Sequence, residues 1–200
     1  MSVRFALAMT MAGSIALLAA TPTLAASPPQ QAFFGAENAG YKCAIAAAAA
    51  EAKGAATEED LATCTMAINL AADVKSRLAA ALTNRSVMHL ARAEYTATIA
   101  DSDAALQLDH KIPEAMVDRG VALMLEGRLN DAVTDFTRAL ALAPSHVERA
   151  YFNRAMARED LGDLKGAYLD YRMAAQLDPL WDRPKKELAR FTVVQRAPTS

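Results

Sequence analysis

The sequence predicts an all-α fold, a stack of antiparallel helix pairs in which each unit buries its apolar face against the next. Three observations predict it. An arginine is followed sixteen residues later by an aspartate three times over, at Arg85 and Asp101, Arg119 and Asp135, and Arg154 and Asp170. The blocks around these pairs, 82–109, 116–143 and 151–178, are offset by 34 and then 35 residues, and each reads as two helical stretches joined by a short turn. Further residues keep fixed offsets: Ala132 precedes Phe136 by four and Pro144 by twelve, Ala167 stands in the same relation to Tyr171 and Pro179, and Gly127 and Gly162 fall where each pair must turn. Self-similarity at such a period marks a solenoid, because one helix pair cannot cover its own apolar face.

The elements follow in chain order. Arg4 precedes an apolar run from Phe5 to Ala20, then Thr21-Pro22-Thr23-Leu24-Ala25-Ala26. This is the layout of a secretory signal peptide over 1–25, with small residues favouring cleavage after Ala25. The run is short for the roughly 20 residues of a spanning helix, so no stable membrane insertion is expected after cleavage. Residues 26–41 carry Pro28-Pro29, Phe33-Phe34 and two glycines and read as an extended lead-in.

Residues 42–78 read as an N-terminal helical hairpin that caps the stack. Cys43 and Cys64 have their midpoint at 53.5, inside the break at Lys53-Gly54, so an antiparallel hairpin sets them level. Alanines from Ala44 to Ala50 surround the first cysteine, and small side chains permit the close approach of about 4.4 to 6.8 Å between Cα atoms that a disulfide requires. Their separation is too wide for a redox pair with two intervening residues. A metal site would want further ligands, and His89, His110 and His146 are scattered. The second helix of the hairpin is expected to start at Thr57, with Glu58, Glu59 and Asp60 in its first turn where the helix dipole favours acids, and to run past Ala71 toward Ser76.

Three repeats then occupy 79–181, with boundaries at 79–112, 113–147 and 148–181. The first is the least regular: Thr98 replaces the alanine, Ser102 the aromatic, Ala93 the turn glycine and His110 the closing proline, as suits a unit near one end. Residues 182–196 predict a capping helix with Leu188, Phe191 and Val194 at helical spacing, and 197–200 a tail.

On these residues the chain resembles the tetratricopeptide repeat family, whose units carry a small residue, an aromatic four later and a closing proline. The resemblance implies a right-handed superhelical stack, a TPR-like solenoid. It also implies that the seventh residue of each repeat faces inward. That residue is commonly leucine in the family but is Arg85, Arg119 or Arg154 here. An inward guanidinium needs a carboxylate, and Asp101, Asp135 and Asp170 are the natural structural partners; whether each meets its own repeat's arginine or a neighbour's stays open.

The resemblance further places function on the concave face. Its groove positions fall on Ala80, Thr83, Asn84 and Val87, then Glu114, Val117, Asp118 and Val121, then Arg149, Phe152, Asn153 and Met156. One subclass of the family grips a C-terminal carboxylate with lysines. Here Thr83, Val117 and Phe152 stand at the early position and Val87, Val121 and Met156 at the later one, so that mode is disfavoured. The remaining pattern suits a peptide or protein segment held by apolar anchors with a few polar contacts.

The charge balance, 21 basic against 23 acidic residues for a net −2, is not that of a nucleic-acid binder. Neither a phosphate-cradling glycine loop, a paired-histidine zinc motif nor a nucleophile elbow is present. The expectation is therefore a non-enzymatic interaction module, exported to the periplasm or secreted, monomeric by itself and without a cofactor. The alternative is an assembly subunit that docks into an envelope complex through its convex face or N-terminal segment.

Overall fold

The computed structural model describes residues 28–71 and 73–191, which form nine helices and no strand. They are α1 (Pro28–Lys53), α2 (Glu58–Leu70), α3 (Lys75–Ala91), α4 (Tyr95–Leu108), α5 (Pro113–Leu125), α6 (Leu129–Ala141), α7 (Val147–Asp160), α8 (Leu164–Leu177) and α9 (Asp182–Leu188). Each helix packs on the next, and the odd-numbered ones also touch in series, α1 on α3, α3 on α5 and α5 on α7. That second set makes them the inner wall of an all-helical solenoid. The expected signal peptide and the tail lie outside the described residues.

Helix starts follow local chemistry. Thr57 caps α2 in a reciprocal box, its hydroxyl accepting from the Asp60 amide at 3.2 Å while Asp60 Oδ2 accepts from the Thr57 amide at 2.9 Å. Those bonds from Thr57 hold the Asp60 carboxyl below its usual pKa. Pro113 opens α5, where its missing N–H is not needed.

The turns show how closely the units correspond. Amides of Glu94, Arg128 and Asp163 donate to the carbonyls of His89, Leu123 and Arg158 at 2.9, 2.8 and 2.8 Å. Each closure passes through a left-handed residue: Gly127 at φ 80, Gly162 at φ 82 and, in the first repeat, Ala93 at φ 59. An L-residue with a Cβ costs about 1 kcal/mol there, so the first repeat keeps the geometry despite lacking the glycine. Gly120 serves packing instead: a Cβ added to it would sit 2.8 Å from Cε1 of the fully buried Phe136.

All three arginines bind the aspartate of their own repeat through two parallel bonds. Nε and Nη2 donate to the two carboxylate oxygens at 2.7 and 2.7 Å for Arg85–Asp101, 2.7 and 2.8 Å for Arg119–Asp135, and 2.8 and 2.8 Å for Arg154–Asp170. The remaining nitrogen reaches back one helix pair. Nη1 of Arg85 donates to Thr65 Oγ1 on α2 at 3.1 Å, that of Arg119 to Asp103 on α4 at 2.5 Å and that of Arg154 to Thr137 Oγ1 on α6 at 3.1 Å. Each guanidinium therefore ties the second helix of its own repeat to the second helix of the unit before, and so couples neighbours as well as pairing within.

Three expectations need correction. Residues 28–41 are not extended but form the first half of α1. The two prolines sit in the opening turn, where they are tolerated, and the helical frame lets Ala39 join Cys43, Ala47 and Ala50 in the core. The second hairpin helix stops at Leu70, with the Ala71 amide bonded to the Ala67 and Ile68 carbonyls. The chain reverses there so that α3 can lay Leu78 and Leu82 against Ile68. The terminal cap is also shorter, since α9 ends at Leu188. Amides of Arg190 and Phe191 bond back three residues, to Glu187 and Leu188, and this tightened turn brings the Phe191 ring 6.0 Å from Tyr171 and 5.8 Å from Tyr168. Val194 lies outside the described residues.

Cys43 and Cys64 are joined by a disulfide with their Cα atoms 4.7 Å apart, and both are fully buried. The alanines around them let α1 lie close on α2 and also on α3, where Ala81 and Met88 complete the cluster.

Candidate partner-binding groove

The inner wall encloses a cavity of about 560 Å³. Helix α3 contributes Val87, Leu90 and Ala91; α5 contributes Glu114, Val117, Asp118 and Val121; α7 and the turn before it contribute Pro144, Ser145, His146, Arg149 and Asn153. The end of α1 and the turn after it supply Ala50, Glu51 and Gly54 and narrow what would otherwise be an open trough.

Glu51 narrows it by reaching across to the third repeat. Its carboxylate lies 2.7 Å from Arg149 Nη1 and 3.7 Å from His146 Nε2, a contact spanning 98 residues of sequence. Glu114 is engaged too, accepting from the Ser145 hydroxyl at 2.7 Å and its amide at 3.1 Å. Burial works to raise the Glu114 pKa, but these bonds outweigh it and leave the group below its usual value.

Asp118 is placed differently. Ser86 Oγ lies 2.8 Å from Asp118 Oδ2 and also 2.8 Å from the Thr83 carbonyl. Among the described residues Asp118 has no ion pair. Burial pushes its carboxyl up to about 7, against a smaller opposing effect of the Ser86 bond, and the charges of Glu51 and Glu114 push the same way as burial.

Of the groove positions expected from sequence, Val87, Glu114, Val117, Asp118, Val121, Arg149 and Asn153 line the cavity. Thr83 and Asn84 do not, since the α3 wall begins a turn later at Val87; Thr83 is buried and donates to the Ala79 carbonyl at 3.0 Å. Ala80 is exposed outside it. Phe152 is a correction: it is 2 % exposed, its ring 4.8 Å from Trp181 and 5.3 Å from Tyr171, with the Arg183 guanidinium 4.9 Å above it. The terminal cap has covered it. Met156 belongs to the same cluster and not to the groove.

Sequence reasoning missed Glu51, Leu90, Ala91 and the segment from Pro144 to His146. Leu90 and Ala91 continue the Val87 face by three and four residues and were within reach of helical periodicity. Glu51 is the one charged residue of α1 between Lys42 and Lys53, a signal that sets it apart without saying where it would point.

Comparison with known proteins agrees with this architecture. Two tetratricopeptide repeat family models match residues 113–146 and 148–179. The chain is similar in fold to the first TPR of Spaghetti (RPAP3), solved bound to the HSP90 peptide SRMEEVD, with 24% identity and a TM-score of 0.52 over 56% of this chain and 90% of that one. It is likewise similar to the Arabidopsis OM64 TPR domain, with 20% identity and a TM-score of 0.54 over 58% and 98% of the two chains. The first TPR domain of human RPAP3 gives 24% identity and 0.52 over 56% and 87%. No curated protein matches. The repeated turns, the recurring arginine staples and these matches agree on an all-helical, TPR-like solenoid that carries tetratricopeptide repeats at 113–146 and 148–179.

Proposed function

We propose that the protein is a non-enzymatic interaction module that holds a segment of a partner protein in its concave groove, and that it works outside the cytosol, in the periplasm or cell envelope. The cavity of about 560 Å³ carries the first part, because it sits on the inner wall with aliphatic sides and a few polar groups. Such a lining anchors apolar side chains and sets register with the rest. The Spaghetti domain, similar in fold, was solved with a peptide, which supports a segment in this groove. An acidic segment like that one is a poor fit here, since Glu51, Glu114 and Asp118 already face the cavity. The second part is supported by the apolar run from Phe5 to Ala20 with its small-residue boundary, and by the buried disulfide, which is a feature of oxidising compartments.

A photoreactive phenylalanine analogue at Val121, compared with one at the outward Leu169, tests the groove. Adducts of discrete mass are expected from position 121 and not from 169; adducts from 169 alone would favour assembly through the convex face. Mass spectrometry of the protein from the envelope fraction tests export, and a full-length mass in the cytosol would refute it.

A further inference from the structure

Accepting that the groove holds a partner segment, one feature of the cavity specifies what that segment must carry. We propose that the groove recognises a lysine side chain, inserted from an extended peptide with its ammonium against Asp118.

Asp101, Asp135 and Asp170 are each buried and each holds a guanidinium. Asp118 also lies in the interior wall yet has only the Ser86 hydroxyl. The equivalent positions before Arg85 and Arg154 carry amides, Asn84 and Asn153, which would meet a neutral hydroxyl without any charge to compensate. A carboxylate in a partly dry, apolar-walled site calls for a cation or a proton.

The other acids around the cavity are already engaged, Glu51 by Arg149 and His146 and Glu114 by Ser145. Arg149 is committed to Glu51 at 2.7 Å, and no cation of the described chain reaches Asp118. The described residues therefore leave the partner of Asp118 to come from outside them.

Shape selects among cations. Val87, Val117 and Val121 border the approach to Asp118 and suit a stem of methylenes carrying a charged head. With Oδ2 already facing Ser86, one oxygen remains. A guanidinium gains most from two parallel bonds to both oxygens, whereas an ammonium acts as a point charge and is served by one. Lysine is thus the better match. Burial holds the Asp118 carboxyl partly protonated near neutrality, and an entering ammonium would displace that proton. Binding should accordingly strengthen between pH 6 and 8, with Glu51, Glu114, His146 and Arg149 as the other charged groups facing the site.

The test is calorimetry on the full chain with acetylated, amidated alanine–leucine heptapeptides whose central residue is lysine, arginine, norleucine or glutamate. The lysine peptide is expected to bind at least about tenfold tighter than norleucine, as a charge-assisted hydrogen bond gives. D118N, which preserves shape, should reduce that preference to about twofold or less while still binding the norleucine peptide. V121K, which tethers an ammonium one helical turn from Asp118, should lose the lysine peptide. Equal binding of lysine and norleucine by the native chain would overturn the lysine assignment and leave the groove intact; binding of none of the peptides would overturn both. Free n-butylamine binding as tightly as the lysine peptide would overturn the peptide source.

Discussion

Truncating the three interior aspartates one at a time should give unequal losses, ordered by what each leaves behind. Asp170→Ala strands two guanidinium groups, since Arg154 and Arg158 both donate to it at 2.8 Å and their side chains are only 12% and 25% exposed. Breaking a buried pair costs about 3 to 5 kcal/mol, and the residual exposure places this variant near the lower end, at about 3 kcal/mol. Asp101→Ala leaves Arg85 with the Thr65 hydroxyl at 3.1 Å and 22% exposure, for a loss of about 2 kcal/mol. Asp135→Ala is mildest, at about 1 kcal/mol, because Arg119 keeps a second carboxylate, Asp103, at 2.5 Å. Urea unfolding followed by far-ultraviolet circular dichroism measures all three. Adding Arg154→Met to Asp170→Ala should recover part of the loss, since it removes one of the stranded charges. Equal losses across the series, or Asp135→Ala as the worst, would refute the view that stranded interior charge sets the penalty.

Other expectations rest on separate features. Replacing both Cys43 and Cys64 by alanine should lower stability by about 3 kcal/mol, for a loop with sequence separation 21, read as a fall in the urea midpoint that reductant reproduces in the native chain only. Ala93→Gly relieves the residue at φ 59 and should stabilise by about 1 kcal/mol in the same assay. Asp118 binds its proton more tightly folded than unfolded, about 7 against 3.8, so its contribution is fully present below pH 4 and is lost as pH rises toward 7. Native stability relative to Asp118→Asn should therefore fall by up to about 4 kcal/mol across that window, and a flat difference would contradict it. Glu51→Gln should change stability by less than about 0.5 kcal/mol, because both ends of its bridge to Arg149 are near half exposed.

The repeats were legible because their signals are local and recur. A 34- to 35-residue period, a turn glycine and an arginine sixteen residues before an aspartate each reflect a contact inside one unit, so sequence spacing maps directly onto geometry. The hairpin disulfide was legible for the same reason, two residues equidistant from one turn. What sequence did not show depends on how distant units meet. Phe152 occupies a groove position, yet Trp181 and Arg183 of the terminal cap cover it, and no pattern near Phe152 records that. Glu51 narrows the groove only because α1 runs long enough along α3 to bring its last turn opposite Arg149. The extra half of α1 was itself obscured by Pro28-Pro29 and two glycines, which read locally as loop and are overridden by burial of the alanine face.

The first hairpin thus holds α1 unequally at its two ends. Near its middle, Cys43 is covalently fixed to α2 and packed on α3 through side chains with little volume to rearrange. At its C-terminal end the hold on α7 is an ion pair between Glu51 and Arg149, 43% and 50% exposed, which water competes for at every moment. The strong attachment, with Ala47 and Ala50 buried beside it, fixes the wall over the groove; the weak one sets where Glu51 and Arg149 face each other across it. Glu51 also adds to the charge that keeps Asp118 partly protonated, so the same side chain that meets Arg149 affects the affinity of the cavity floor for a cation. A binding site assembled in this way gains selectivity from the buried acid, while the bridge at its edge adds little to folding.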